Sequence, residues 1–322
     1  MLASMPARGG IDLGGTKIQT VVVDERDEVL GQARHPTPQS GGPQDVADAM
    51  AAALREAAAG AGVEPRALAG VGVGSPGAID ASAGSVGQAR NLPDWEGVFP
   101  LARALSDALD GVAVTLGNDV SVATDAEVRL GAGRGARSLL GVFWGTGVGG
   151  GVVLDGRGWD GEGAAGEIGH MVVKQGGARC PCGRRGCLEA YAGRGAMEAR
   201  ARRRHHDGER TDLFHLMRKH GRPRLTSGIW ARALDHGDRL ATELVDEAVA
   251  ALGAGIASAV NLLDVQVVVI GGGLGLRLGE PYRARIAAAM QPHLFNDDRP
   301  PAVRLAALGD LGGAIGAALL VA

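Results

Sequence analysis

The sequence predicts an α/β fold built from two related domains, and two observations carry that reading. Two glycine clusters, Gly10-Ile11-Asp12-Leu13-Gly14-Gly15-Thr16-Lys17 and Gly145-Thr146-Gly147-Val148-Gly149-Gly150-Gly151, each lie between β-branched runs. After each cluster the same order of elements begins, a strand hairpin first and then helices with further strands among them, which is the alternation of an α/β sheet. A cleft between the two domains is expected from that duplication.

In order, strands are predicted over 9–13, 19–24 and 29–35, followed by an alanine-rich helix over about 44–59, whose ends Pro43 and Gly60 mark. Residues 71–73 return as a strand that runs into Gly74-Ser75-Pro76-Gly77, and a loop extends from there to Asn91 and Trp95. A helix near 101–109, a strand over 112–116 and a helix over 120–130 complete the first α/β unit. The second begins with strands over 139–144 and 148–154, passes through an irregular glycine-rich stretch holding all three cysteines, and continues in helices to about residue 259. A late strand is expected over 262–270, leading into Gly271-Gly272-Gly273-Leu274, and an apolar helix over 311–320 is expected to return to the first domain. The domain division predicted is a small N-terminal lobe of 1–117 joined by 306–322, and a large lobe of 118–305. The basic run at 200–210, where arginines precede His205 and His206, reads as a solvated helix end or loop.

Composition narrows the function classes. The 322 residues, 45% of them hydrophobic, leave room for two cores. A net charge of −3 favours neither nucleic acid nor an anionic membrane as the main partner, so small molecules are the default. Lysine occurs only at Lys17, Lys174 and Lys219 against plentiful arginine, a coding bias rather than a basic face. The N-terminal residues before Gly9 are too few and too weakly apolar for a signal peptide, and no apolar run reaches a membrane span, so a cytoplasmic location is expected. Cys180, Cys182 and Cys187 lie too close together for a disulfide framework but suit a metal knuckle.

Glycine lets a turn take positive φ and lets backbone N–H groups approach an anion with no Cβ in the way. Two such hairpins, each with a threonine and the first with Asp12 able to support a metal, point to phosphate gripping, although a glycine hairpin alone is most often only a hairpin. The P-loop is excluded because Gly-x-x-x-x-Gly-Lys-Ser/Thr occurs nowhere, and the 271–273 turn is as plausibly a packing turn as a nucleotide contact. His170 precedes the cysteines by ten, twelve and seventeen residues. One imidazole and three thiolates fill a tetrahedral shell, which points to structural Zn²⁺; the alternative, three reduced core cysteines, suits the polar, glycine-broken segment poorly. Asn118-Asp119 stands where a strand meets a helix. Both residue types cap helices, and a carboxylate at that edge also stands where substrates bind in α/β sheets and could accept the proton of an attacking hydroxyl. Glu167 and Glu189 flank the cysteine knuckle; each alone reads as a surface charge, but together with His170 and Asn118 they supply the donors and acceptors that hold sugar hydroxyls.

In this order, Asp-Leu-Gly-Gly-Thr-Lys (12–17), Asn-Asp-Val (118–120), Gly-Thr-Gly-Val-Gly-Gly-Gly (145–151), Gly-Glu-Ile-Gly-His (166–170) and Cys-Pro-Cys-Gly-Arg-Arg-Gly-Cys-Leu-Glu (180–189) resemble the ROK family of repressors, open reading frames and kinases, and most of all its bacterial glucokinases. The resemblance runs from residue 9 to the end. It implies an actin-like ATPase (ribonuclease-H-like) fold of two lobes around a cleft, with a zinc knuckle in the second, and phosphorylation of a hexose at O6 by ATP with Mg²⁺, with D-glucose as the expected hexose. By matching motif, Asp119 is the general base, and Asn118, Glu167, His170 and Glu189 bind the sugar, with Gly77 and Asn91 contributing from the first lobe. Gly14, Gly15, Thr16 and Lys17 in one hairpin and Gly145, Thr146, Gly147, Gly149 and Gly150 in the other hold the phosphates. Asp12 supports magnesium through water, Gly272 lies near adenine, and His170, Cys180, Cys182 and Cys187 bind structural zinc. A homodimer or homotetramer is implied as well.

Kinases for N-acetylmannosamine, N-acetylglucosamine or fructose would share the machinery at O6 and differ at C2. Ala78 offers no charged group for an acetamido pocket, which favours glucose. A non-catalytic sugar sensor of the same fold has no need of Asp119 and both phosphate hairpins. The family's repressors carry a helix-turn-helix before the first glycine motif; nine residues precede Gly10 here, so DNA binding is not expected. Phe143-Trp144 departs from the smaller aliphatic residues commoner before the second glycine motif, and places an indole beside the phosphate loop.

Overall fold

The computed structural model describes residues 6–89, 92 and 94–321, and its packing divides the chain into two units. The first runs to Arg134 and also takes in Asp160–Gly163 and the chain from Ala307 onward; the second holds Gly135–Trp159 and Ala164–Ala306.

In the first unit β1 (Arg8–Leu13), β2 (Lys17–Val23) and β3 (Val29–Pro36) form an antiparallel meander. The long helix α1 (Gly42–Gly60) carries Val46, Met50, Leu54 and Ala57 on one face, and this stripe packs into the core with Ile11, Leu13 and Ile18. β4 (Val71–Ser75) then adds parallel to β1. The stretch expected to be a loop instead forms a small antiparallel sheet of β5 (Ala78–Asp80), β6 (Ser85–Gly87) and β7 (Val98–Phe99). It is held by Trp95, whose Nε1 donates to Val86 O at 3.3 Å and whose ring meets Phe99 edge-on. Such short strands, broken by turns, show too little alternation to be read from sequence. Helix α2 (Leu101–Ala108) leads to β8 (Val114–Asn118), parallel to β4, and α3 (Asp119–Arg129) follows at once. The sheet order is β3-β2-β1-β4-β8.

The C-terminal helix Gly312–Ala318 lies on this sheet and on α3 at distances only glycine allows. A Cβ on Gly10 would fall 2.0 Å from Ala314 O, one on Gly72 1.7 Å from Ala317 O, and one on Gly316 2.0 Å from Val122 O. This packing draws α3 into the first unit, so its boundary falls at Arg134, whereas the division expected from sequence falls after 117. The buried Glu127 adds a further clamp: Oε2 accepts from the N–H groups of Ala132 (2.7 Å) and Ala307 (3.0 Å), and Oε1 accepts from that of Leu308 (2.9 Å).

The second unit repeats the plan. Antiparallel β9 (Leu139–Trp144), β10 (Val148–Leu154) and β11 (Arg157–Gly158) come first, then the helices α4 (Glu189–Ala192), α5 (Arg194–His206), α6 (Leu213–Lys219), α7 (Ser227–Asp235) and α8 (Arg239–Leu263). β12 (Val267–Gly271) joins parallel to β9, α9 (Gly272–Met290) crosses back, and β13 (Ala302–Leu305) closes the order β11-β10-β9-β12-β13, the same arrangement as in the first unit. One expectation is corrected here. The late strand begins at Val267, not 262, because Leu262 and Leu263 are the last residues of α8, which Asp264 ends in the left-handed conformation (φ 47°). The basic run is the solvated end of α5, as expected, and ion pairs lace it: Arg200 pairs with Glu247, Arg202 with Glu198, and Arg204 with Glu209 and Glu243.

Candidate active site

In the first unit the β1–β2 turn is braced from both sides. Gly14 N–H donates to Lys17 O at 2.9 Å, and the Thr37 hydroxyl donates to Gly14 O at 2.6 Å. Asp12, one residue before the end of β1, is pressed by the C-terminal helix: a Cβ on Gly313 would lie 2.7 Å from its carboxylate carbon. Burial pushes the Asp12 carboxyl up to about 6, with Asp310 adding to the rise and Lys17 opposing it. A half-buried carboxylate held this way fits a cation's outer shell, because a bound divalent ion would repay its desolvation.

Asn118 and Asp119 sit at the β8–α3 junction. Asn118 is the N-cap, its Oδ1 accepting from Val120 N–H (3.0 Å) and Ser121 N–H (3.1 Å), so the capping role open to it in the sequence is the one its side-chain oxygen performs. Asp119 opens the helix, with Oδ1 accepting from Val120 N–H at 3.0 Å. Gly77 follows Pro76 at φ 100° and seats against Gly87 O, where a Cβ would come within 2.4 Å. Asn91 lies outside the described residues.

In the second unit Gly145 N–H donates to Gly147 O at 2.9 Å, closing the β9–β10 turn. Glu189, at the start of α4, packs directly on it. Its Oε2 accepts from Val148 N–H at 2.9 Å, and a Cβ on Gly147 would fall 2.3 Å from that oxygen. The carbonyl of the same residue, Val148, lies against Gly169, where a Cβ would fall 2.0 Å away, so one peptide segment has Glu189 on its N–H side and the 167–170 turn on its carbonyl side. Leu188 N–H donating to Met171 O (2.8 Å) ties the two segments again. Glu167 Oε2 stands 3.7 Å from His170 Nε2. Gly149 and Gly150 lie within β10 beyond the turn, and Gly150 packs on Gly166 O and Ile168. Gly272, at φ 79°, is wedged against the backbone of Trp144, and a Cβ on Gly145 would stand 4.0 Å from the Gly273 nitrogen. The indole expected beside the phosphate loop is not there: Trp144 is fully buried in the core, its Nε1 donating to Ala192 O at 2.7 Å, because strand alternation turns it inward.

His170, Cys180, Cys182 and Cys187 converge, with their ligand atoms all within 4.8 Å of one another. Cys180 Sγ is 3.8 Å from His170 Nδ1 and Cys182 Sγ is 3.8 Å from Cys187 Sγ. A tetrahedral zinc with bonds of ~2.0–2.3 Å separates its ligand atoms by ~3.5–3.8 Å, so the four side chains fit the ion. Burial pushes the Cys180 thiol up to about 12 and also raises Cys187. At Cys182 burial works in the same direction but is outweighed by hydrogen bonds, first that of the Arg184 backbone and then those of Cys180 and Arg184, which draw it down to about 6.

One residue absent from the sequence expectations meets the second hairpin. Arg194, the first residue of α5, donates from Nη2 to Thr146 Oγ1 (2.7 Å) and from Nη1 to Leu225 O (2.9 Å), and its buried Nε has no partner among the described residues. Nothing in its sequence neighbourhood marks it, since a single arginine beside a glycine has no spacing to read.

The ROK family profile matches residues 8–322. A glucokinase from Halalkalibacterium halodurans is 34% identical over 97% of this chain and 94% of its own, and an N-acetyl-D-glucosamine kinase from Photobacterium profundum is 32% identical over 97% of this chain and 98% of its own. Among solved structures, a ROK family glucokinase from Streptomyces griseus, in complex with glucose and AMPPNP, matches with a TM-score of 0.83 and 32% identity over 98% of each chain.

Proposed function

The chain belongs to the ROK family, has its actin-like kinase fold and is a hexokinase-type sugar kinase; from that premise we propose that it transfers the γ-phosphoryl group of ATP to O6 of D-glucose. The observation that carries the hexose reading is the placement of Glu189 and the Glu167–His170 pair on the two sides of Val148, next to the Gly145–Gly147 turn, and Ala78, with no charged group for an acetamido pocket, favours glucose. Carboxylates and an imidazole so placed can accept and donate to several hydroxyls of one ring.

In this reading Asp119 accepts the O6 proton as the hydroxyl attacks, while Asn118 spends its oxygen on the helix cap and keeps its amide N–H groups for the sugar. Phosphoryl transfer has a loose transition state, so positioning and neutralisation of phosphate charge account for most of the rate. Backbone N–H groups of the turns at Gly14–Lys17 and Gly145–Gly147 orient the phosphates. Asp12 would help hold Mg²⁺, which when bound offsets charge on the donor. His170, Cys180, Cys182 and Cys187 would hold Zn²⁺ in a complete shell, a structural role that also fixes the His170 ring.

A second reading, phosphorylation of an N-acetylhexosamine, is favoured by the relative from Photobacterium profundum. A coupled assay of ADP release over glucose, N-acetylglucosamine, N-acetylmannosamine and fructose separates the two. The highest kcat/KM is expected for glucose; an N-acetylhexosamine at the head of the series replaces the glucose reading with the second, and no turnover on any sugar removes both.

A further inference from the structure

Polar contacts from α3 fall where the chain passes from one unit to the other. The chain leaves the first unit after Arg134, returns briefly at Asp160–Gly163, and comes back again at Ala307. Glu127 meets two of these passages. Its main-chain carbonyl accepts from Gly131 N–H (3.1 Å) and Gly133 N–H (2.8 Å), and its carboxylate accepts from Ala132 N–H beside them and from Ala307 and Leu308 N–H on the returning segment. Ser121, in the first turn of the same helix, donates its hydroxyl to Asp160 Oδ1 at 3.1 Å, so both returns of the chain are received by α3. The last passage is one peptide wide. Ala306 N–H donates to Ile270 O of β12 at 2.9 Å, and the next N–H along is the one that Glu127 holds.

Packing against the C-terminal helix, where a Cβ on Gly316 would fall 2.0 Å from Val122 O, sets how far that helix stands from α3. Such contact opposes sliding along the axis only weakly, whereas hydrogen bonds weaken steeply as they are misaligned. Glu127 is 2% exposed, and taking a carboxylate out of water costs free energy that an apolar side chain there would not. What the carboxylate adds is geometry: three N–H groups from two distant segments converge on its two oxygens and fix the axial position of the helix that bears it. Asp119 is the first residue of that helix, about two turns and about 12 Å along the axis from Glu127.

We propose that Glu127 is a positioning residue for Asp119. By tying the chain's first departure and its last return to α3, it keeps displacements of the connecting segments from shifting the carboxylate at the other end of the helix. The proposal rests on the reading of Asp119 as the base that accepts the sugar proton.

Glu127→Gln tests it, because the amide keeps the reach of the side chain but sets an N–H donor against one of the three N–H groups. Steady-state ADP release is measured for the full chain as wild type, Glu127→Gln, Asp119→Asn and the double variant, with the best hexose of the series above, well below the unfolding temperature and with circular dichroism as the check on folding. Glu127→Gln is expected to lower kcat by about tenfold or more and to leave sugar KM within about threefold, since small misplacements of a reacting group are costly. In the Asp119→Asn background the same substitution is expected to lower kcat by less than about twofold, because the group it positions is already gone. A structural role alone would lower activity by the same factor in both backgrounds; that result, or wild-type kcat in Glu127→Gln, overturns the proposal and leaves Asp119 as the base. Near-normal turnover of Asp119→Asn alone removes the base, and the proposal with it. Glu127→Asp, which keeps the charge and shortens the reach, takes the place of Glu127→Gln with the same expectations should the latter not fold. Failure of both to fold would make Glu127 a support of the whole unit and likewise overturns the proposal.

Discussion

Asp12 and Asp119 both stand at the carboxyl ends of strands, yet their surroundings give them different work. Asp119 opens a helix and keeps one oxygen on Val120 N–H, which fixes the carboxylate's orientation. If it is the base, Asp119→Asn is expected to leave sugar KM within about tenfold and to lower kcat by on the order of 10² to 10⁴, the range for losing a positioned base; near-normal turnover in steady-state kinetics would remove the assignment. Asp12 is raised from 3.8 to about 6 chiefly by burial. Its charged form is therefore the costly one in the folded state, and the stability it contributes is full below about pH 4 and lost as the pH rises through about 6. In metal-free, nucleotide-free protein, Asp12→Asn is expected to match wild type near pH 4 and to be more stable by on the order of 1 to 3 kcal/mol at pH 8, read by urea unfolding at both values; equal stability at pH 8 contradicts it. The acidic types and their strand-end positions were legible in the sequence. The inward turn of Trp144, the reach of Arg194 to Thr146 and the three N–H groups gathered by Glu127 were not, because each is decided by chain segments far apart in sequence.

At the scale of the element, both hairpins could be read from glycine between β-branched runs, and the strands of the second have the predicted limits. What periodicity could not supply was the partner of each glycine. Gly147 is glycine because the Glu189 carboxylate occupies the space a Cβ would take, 2.3 Å from Oε2. Gly147→Ala is therefore expected to displace Glu189 from Val148 N–H and raise sugar KM by about tenfold or more while the fold persists, since the turn itself needs no positive φ there. Kinetics alongside circular dichroism check this, and an unchanged KM would separate Glu189 from the sugar. The overrun of α8 into the expected strand has a similar cause. Leu262 and Leu263 suit either element, and it is Asp264, free to adopt a left-handed backbone, that sets the stop.

Over the whole molecule the same strand order occurs twice, and each unit has a core of its own, around Ile11, Met50, Leu54 and Leu105 in the first and around Trp144, Trp230, Leu244 and Leu252 in the second. The duplication was visible in the order of motifs; the assignment of α3 was not, because it depends on the C-terminal helix closing on Gly10, Gly72 and Gly316. The cysteine cluster belongs wholly to the second unit. If it holds zinc in a closed shell, the ion's binding energy is folding energy for that unit alone. Purified protein is then expected to contain about one zinc per chain, and scanning calorimetry to resolve unfolding of two units rather than one cooperative event. Cys182→Ala, or a strong chelator, should lower the transition of the second unit and leave that of the first in place, because the cluster packs with Ala190 and Tyr191 and not with the core under β1. Sugar affinity should fall with it, through loss of the His170 and Glu189 positions. Absence of zinc from active protein would mean that the three cysteines and His170 pack together without an ion, and a chelator that shifts both transitions equally would mean that the ion's stabilisation is not confined to the second unit.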